Sequence, residues 1–467
     1  MVGLFSLLSS YAMLLGQISL LGLPGVTARL FPRFRDKDSG HHGFLSIGLI
    51  FFTVGFILFL ALFIPFSSFL INSNNEKSQL FADYLYLLVP LTFFSMLFIS
   101  LDIYNKLLYD AVPGIFLQEF FQRALLFIAV VLFALGWINL PQLILAFTLA
   151  LCMKAIVLFL LLAGRGELRL TIDRTFLTSA LRKEILDVAL FSIVTGLGSM
   201  VVFNIDKIVV NQMLDLSNTG VYTIAFYFGS LVVIPSRPLL KIAGTLIADA
   251  WSRNDIQTVK EIYYKSCINQ FVIGGFLFLG VWANIDNILF ILGDDYSESK
   301  WVIFFIGLGY LFDMLTGANA LVIGYSKYYR VALVFILILI AIVITLLYML
   351  IPIWGITGAA IAIAVALMLN NFMRFLFLFK KFRFQPFSVN FLVVAVFYLS
   401  LFFILKTIPQ LKTFLDIVVR GSLITLATTL FLILVPGFDD SRNVIMKSLT
   451  KILNWTKSLF QESIKPD

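Results

Sequence analysis

Long apolar runs, each closed by a short polar or Gly/Pro break, recur from one end of the chain to the other. They last 18–30 residues and lack alternation of apolar and polar positions. A helix needs about 20 apolar residues to cross hydrocarbon, and there its backbone must satisfy its own polar groups. A transmembrane barrel would instead show alternating segments of about 10 residues. The pattern predicts an all-α polytopic membrane protein with about 13 transmembrane helices. They lie near 3–23, 44–70, 83–101, 115–137, 141–163, 185–212, 217–246, 266–292, 301–322, 330–352, 356–379, 389–406 and 413–436. The break between 185–212 and 217–246 rests on the polar stretch "DLSNTG".

Composition agrees. Of 467 residues, 60% are hydrophobic and 13% charged, against about 45–50% and about 25% in soluble domains. The net charge of +8 does not point to nucleic acid, because the basic residues sit in short loops. One set of alternate loops and the tail hold 26 of the 34 Lys and Arg, among them Arg29, Arg237, Lys241 and Arg374; the other set holds Lys77, Lys300, Lys406 and Lys412. The positive-inside rule then puts the C-terminus in the cytoplasm. With 13 spans the N-terminus lies outside. No Lys or Arg precedes Arg29, so residues 3–23 lack the basic start of a secretory signal.

Cys152 and Cys267 each stand alone in a predicted span and read as small apolar residues. His41 and His42 sit in a charged loop without metal-ligand spacing. There is no GxxxxGK[ST] phosphate loop. No cofactor and no metal are expected.

An internal repeat organises the spans. "GLFSLLSSYAMLL" at 3–15 matches "GVYTIAFYFGSLV" at 220–232 with an offset of 217. The same offset pairs Phe5 with Tyr222, Phe34 with Trp251, Asp38 with Asp255 and Trp137 with Trp354. Two-lobed transporters are often built from such repeats. Gly220 is preceded by a whole helix, Gly3 by two residues. The expected parent design is therefore six helices, six more and two appended, with the first helix absent here. The expected divisions are an N-terminal lobe at 1–163, an amphipathic cytoplasmic linker at 164–184, and a C-terminal lobe at 185–381. Two extra helices follow at 388–436, then a cytoplasmic tail at 437–467 that reads as an interfacial amphipathic helix.

Three stretches carry a family resemblance. They are "FNIDKIVVNQMLDLSNTGVYTIAFYFGSLVVIPSRPL", "LIPIWGITGAAIAIAVA" at 350–366, and "GLFSLLSSYAMLLGQISLLGLPGVTARLFPRF". The chain resembles the polysaccharide flippases, the O-antigen and exopolysaccharide translocases of the MOP exporter superfamily. The resemblance spans residues 1 to about 436 and departs from the family at the missing first helix. It implies a flippase of the bacterial cytoplasmic (inner) membrane; a membrane-embedded glycosyltransferase or polymerase would call for a large outer loop, and the longest here is about 12 residues, so no enzyme is expected. Such a flippase moves an undecaprenyl-diphosphate-linked oligosaccharide outward by alternating access. The lipid-linked oligosaccharide and membrane lipids would be its partners, with polysaccharide polymerase and glycosyltransferases alongside. A multidrug/cation antiporter or a lipid II flippase of the same superfamily is the alternative. An antiporter for cationic drugs calls for an excess of intramembrane acids, which the sequence does not have.

The charges inside predicted spans are the candidate site, since each costs about 2.5–3.5 kcal/mol at a helix centre. Asn204, Lys207 and Asn211 fall at i, i+3, i+7, beside a stripe of Thr195, Ser199 and Asp206. Together they form a wide polar face suited to a wet cavity, with a polar clamp between helices as the structural alternative. Lys207, Arg123, Lys154 and Arg420 within the spans, and Arg29, Arg237 and Lys241 at the cytoplasmic mouth, are the expected donors to a diphosphate. Glu119 and Arg123 are spaced to pair with each other. Asp206 and Asp313 are the candidates for a coupling ion.

Overall fold

Helices start and stop in this chain where a cap, a proline or a left-handed residue ends an apolar run. The computed structural model describes residues 1–36, 39–73, 79–168, 176–438 and 442, with no strand among them. Helix α1 (Val2–Ser19) is followed by Leu21 and Gly22, both left-handed, before the amphipathic α2 (Leu23–Phe34). Then come α3 (Phe44–Ser73), α4 (Gln79–Asp83) and α5 (Leu88–Leu107). Helix α6 (Val112–Phe116) runs through a π turn, Leu117–Phe121, into α7 (Gln122–Ala134). A reciprocal cap between Asn139 and Gln142, with Pro141 in the first turn, opens α8 (Leu140–Gly164). Thr178 caps α9 (Ser179–Met213), which leads to α10 (Leu216–Ser230).

The predicted single span at 217–246 is two helices. Pro235 has no N–H to give to a continuing helix, and α11 (Ser236–Ser252) starts directly after it. Beyond lie α12 (Ile256–Ala283), α13 (Ile285–Leu292), α14 (Lys300–Leu315) and α15 (Asn319–Tyr325). The last two are bent by 48° where one span was expected at 301–322. Helix α16 (Tyr329–Phe382) turns sharply at Gly355, φ 55° and ψ −135°, a conformation open to glycine. That turn separates the two spans predicted at 330–352 and 356–379. The chain ends its described helices with α17 (Val389–Thr407) and α18 (Thr413–Leu434).

Ten helices among the described residues are long and apolar enough to cross a membrane. Taking α16 as two crossings, and adding α9 and the bent α14–α15 pair, reaches the expected thirteen. The predicted interfacial helix of the tail, and part of the 164–184 linker, lie outside the described residues.

Contacts divide the chain into two units, Met1–Ile224 with Ile336–Ala362, and Ala225–Phe335 with Ile363–Asp467. In the first, α9 packs along α1 and α2. Its core joins Leu4, Leu7 and Leu8 to Leu88, Leu91 and Ile144. A second cluster gathers Phe31, Phe34, Phe44 and Tyr104 with Leu158 and Ala189. In the second unit Val259, Tyr263 and Cys267 of α12 pack with Val322, Leu378, Val394 and Ile424. The Tyr398 hydroxyl donates to the Val272 carbonyl at 2.8 Å and ties α17 to α12. Large apolar side chains such as Leu49, Ile57, Leu62 and Ile64 of α3 face outward, a surface suited to lipid rather than water.

Candidate functional site

The polar face predicted on α9 is enclosed. Asn204, Asp206, Lys207 and Asn211 are all buried, and Asp206 has no exposed surface. Its carboxylate accepts the hydroxyl of Tyr222 on α10 at 2.7 Å and the backbone N–H of Lys207 at 2.9 Å. Tyr222 is itself fully buried. A hydrogen bond to a charged group contributes about 1.5–3 kcal/mol, so Tyr222 offsets part of the cost of holding a carboxylate here. The side chains of Thr195 and Ser199, expected on the neighbouring stripe, lie outside the described residues.

Lys154 centres a second polar cluster in the same unit. Its ammonium sits 4.6 Å from the centre of the Phe98 ring, and it feels the carboxylates of Asp102 and Glu119. Asp102 also pairs with Lys106 one turn along α5. Arg123 pairs with Glu119 at 2.6 Å, as their spacing predicts, but both side chains are more than half exposed. Lys154 therefore has an aromatic face and acidic neighbours. Asp102 was not singled out from the sequence, because it falls just past the expected end of its span.

The second unit holds a matching cluster. Asn371 donates to Asp313 Oδ1 at 2.8 Å and accepts from Asn319 at 2.8 Å. Arg374, counted among the loop charges from the sequence, stands inside α16 and attracts Asp313. With the Asn370 amide oriented to satisfy both ends, its nitrogen donates to the Phe335 carbonyl at 3.2 Å and its oxygen accepts from Arg374 at 3.1 Å. Sequence reading named Asp313 but not Asn319, Asn370 or Asn371. The signal was there in "LNNFMR", three polar side chains on two adjacent turns of an apolar helix.

The remaining candidates lie elsewhere. Arg29 on α2 and Arg237 and Lys241 on α11 are exposed. Arg420 is buried and fully engaged: Nε donates to Asp416 at 2.7 Å, and its terminal nitrogens donate to the carbonyls of Leu405 at 2.9 Å and Ile408 at 3.2 Å. Those carbonyls close the end of α17, where a helix has no backbone donors left.

No family model matches the chain, and no curated protein matches it. Solved structures do. A lipid II flippase, MurJ, in an inward closed conformation superposes with a TM-score of 0.69 at 15% identity, covering 92% of this chain and 96% of that one. An inward-facing multidrug resistance MATE transporter of the MOP superfamily gives 0.61 at 15% identity, over 81% and 93%. A MOP superfamily transporter from Pyrococcus furiosus gives 0.53 at 14% identity, over 79% and 84%. The fold is that of these transporters. The polytopic, all-helical reading stands on it.

Proposed function

We propose that this chain is a flippase of the MOP superfamily. It carries an undecaprenyl-diphosphate-linked oligosaccharide from the cytoplasmic to the outer leaflet of a bacterial inner membrane. The observation that carries the reading is the fold of a lipid II flippase over nearly the whole chain, combined with basic groups buried inside it, Lys154 and Lys207. A diphosphate crossing hydrocarbon needs such cationic donors. An exporter of cationic drugs needs uncompensated acids instead, and here Asp206 has the cationic Lys207 beside it and Asp313 has Arg374.

Enclosure of Asp206 and Lys207 fits alternating access, in which a transport site is shut in one state and hydrated in another. The MurJ structure to which the fold is similar is itself in a closed conformation. Drive comes from a membrane potential negative inside, which favours outward movement of an anion by about 2.3 kcal/mol per charge per 100 mV. The C-terminus is cytoplasmic in this reading, and glycosyltransferases act before the flip and polysaccharide polymerase after it.

The test is flipping of a fluorescent lipid-linked oligosaccharide in vesicles containing the purified chain. Lys207→Ala and Lys154→Met are expected to slow it strongly at unchanged protein incorporation. Wild-type chain that leaves the labelled lipid unmoved while extruding a cationic dye would replace the flippase reading with the antiporter one.

A further inference from the structure

The second unit carries a polar cavity of about 290 Å³, well away from its Asp313 cluster. It is formed where the end of α12 and the start of α14 meet the end of α17 and the start of α18. One wall is the indole of Trp282, backed by Phe304 at a ring distance of 4.6 Å and by Trp301 at 5.9 Å. The rest of the lining sets Asp286, Asn287, Lys300, Lys406 and Gln410 among apolar groups such as Phe402 and Leu405.

The charges at this site are mostly spent on one another. Lys300 pairs with Asp286 at 2.7 Å, and Arg420 with Asp416 at 2.7 Å. Asn287 donates to Asp416 at 2.7 Å, which fixes the floor. Lys406 is exposed and has no ion-pair partner among the described residues. The cavity is thus no deep anion trap. It presents the Trp282 indole, with the Lys300 ammonium 5.9 Å from the ring centre, beside fixed donors and acceptors and one spare cation.

That combination matches a pyranose. A sugar ring has an apolar C–H face that packs on the negative face of an indole, and a hydroxyl edge that needs amide, carboxylate and ammonium partners. The volume, at the low end of the roughly 300–1,000 Å³ usual for ligand sites, admits about one ring. From this we infer that the cavity binds a single sugar residue, and that Lys406 favours one bearing a carboxylate. In the orientation set by the loop charges, this cavity opens on the outer side. Resting on the flippase reading, it would receive a sugar of the cargo after the flip and hold it against return.

The experiment is saturation-transfer difference NMR on the full chain in nanodiscs, with methyl glucoside, methyl N-acetylglucosaminide and methyl glucuronide as probes. The expected result is transfer concentrated on the ring C–H protons of one face, strongest for the glucuronide. Binding should weaken about 2- to 10-fold in Trp282→Ala and less in Trp282→Phe, which keeps the ring against Phe304. Trp137→Ala, at a residue 74% exposed in a different loop, should change nothing. Lys406→Gln should remove the preference for the glucuronide. Absence of transfer for all three probes, or transfer indifferent to Trp282→Ala and Lys406→Gln, overturns the assignment. The same nanodisc protein assayed for flipping separates the two readings. Sugar binding without flipping removes the transport function and leaves the cavity, while flipping without sugar binding removes the cavity and leaves the function.

Discussion

The hydroxyl of Thr223 donates to Ser6 Oγ at 2.9 Å, across 217 residues of chain. That separation is the offset of the internal repeat. Gly3 and Gly220 meet in the same way: a Cβ on Gly3 would lie 3.0 Å from the Gly220 nitrogen and would overlap the Leu216 carbonyl. Positions one repeat apart in the sequence thus touch each other where α1 meets α10. The buried clusters follow the same arithmetic, since Asn319 and Asn371 stand 217 residues after Asp102 and Lys154. Matches among apolar letters arise easily by chance, whereas these are contacts between named side chains and backbone atoms.

The Ser6–Thr223 bond gives the first prediction. Ser6→Ala and Thr223→Val should each destabilise the protein modestly, and the double variant should show a coupling of about 0.5–1.5 kcal/mol. Gly3→Val should cost more, about 1–3 kcal/mol, because the added atoms meet backbone rather than a movable side chain. Denaturant unfolding in detergent measures all four, and a coupling of zero would make the contact incidental.

Tyr222→Phe removes the hydroxyl that Asp206 accepts and leaves a carboxylate oxygen buried without it. The expected loss is about 1–3 kcal/mol. Asp206→Asn removes the charge but keeps an acceptor for Tyr222, so it should be less destabilising than Tyr222→Phe in wild-type background. Flipping rates in the same pair report whether the charge itself serves transport: a stable but inactive Asp206→Asn protein answers yes.

Asn371→Leu takes a donor from Asp313 and an acceptor from Asn319 in one change. Each stranded group costs about 1–3 kcal/mol. Combining Asn371→Leu with Asp313→Leu should recover part of the loss, because the unpaired carboxylate is gone. Thermal unfolding of the single and double variants checks this, and a double variant weaker than Asn371→Leu alone would contradict it.

Arg420→Met takes the charged partner from Asp416, which is 1% exposed and keeps only Asn287 and a backbone N–H, and strips two carbonyls at the end of α17. Breaking a buried pair from one side costs about 3–5 kcal/mol. Arg420→Met with Asp416→Leu should be closer to wild type than either single change, as read by thermal melting. A mild effect of Arg420→Met would mean that the α17 end is satisfied without it.

Much of this architecture was legible in the residues taken in order. Run length and loop charge depend on neighbours within a few turns, so they predict the spans and their sequence of crossings from local letters alone. The turn at Gly355 was visible as a break, and Cys152 and Cys267 were recognisable as core side chains, because hydrophobicity travels with the residue type. A proline could have been read the same way, yet the apolar letters around Pro235 hid the division of the seventh segment. What helical periodicity supplies is a face, never the partner of that face. Only the folded chain decided that Asp206 answers Tyr222, that Asp313 answers Asn371, and that Arg420 closes the end of α17. The partners in the last two cases lie on separate helices or across a loop, and a buried charge is stable only where three-dimensional packing brings its counterpart within hydrogen-bonding distance.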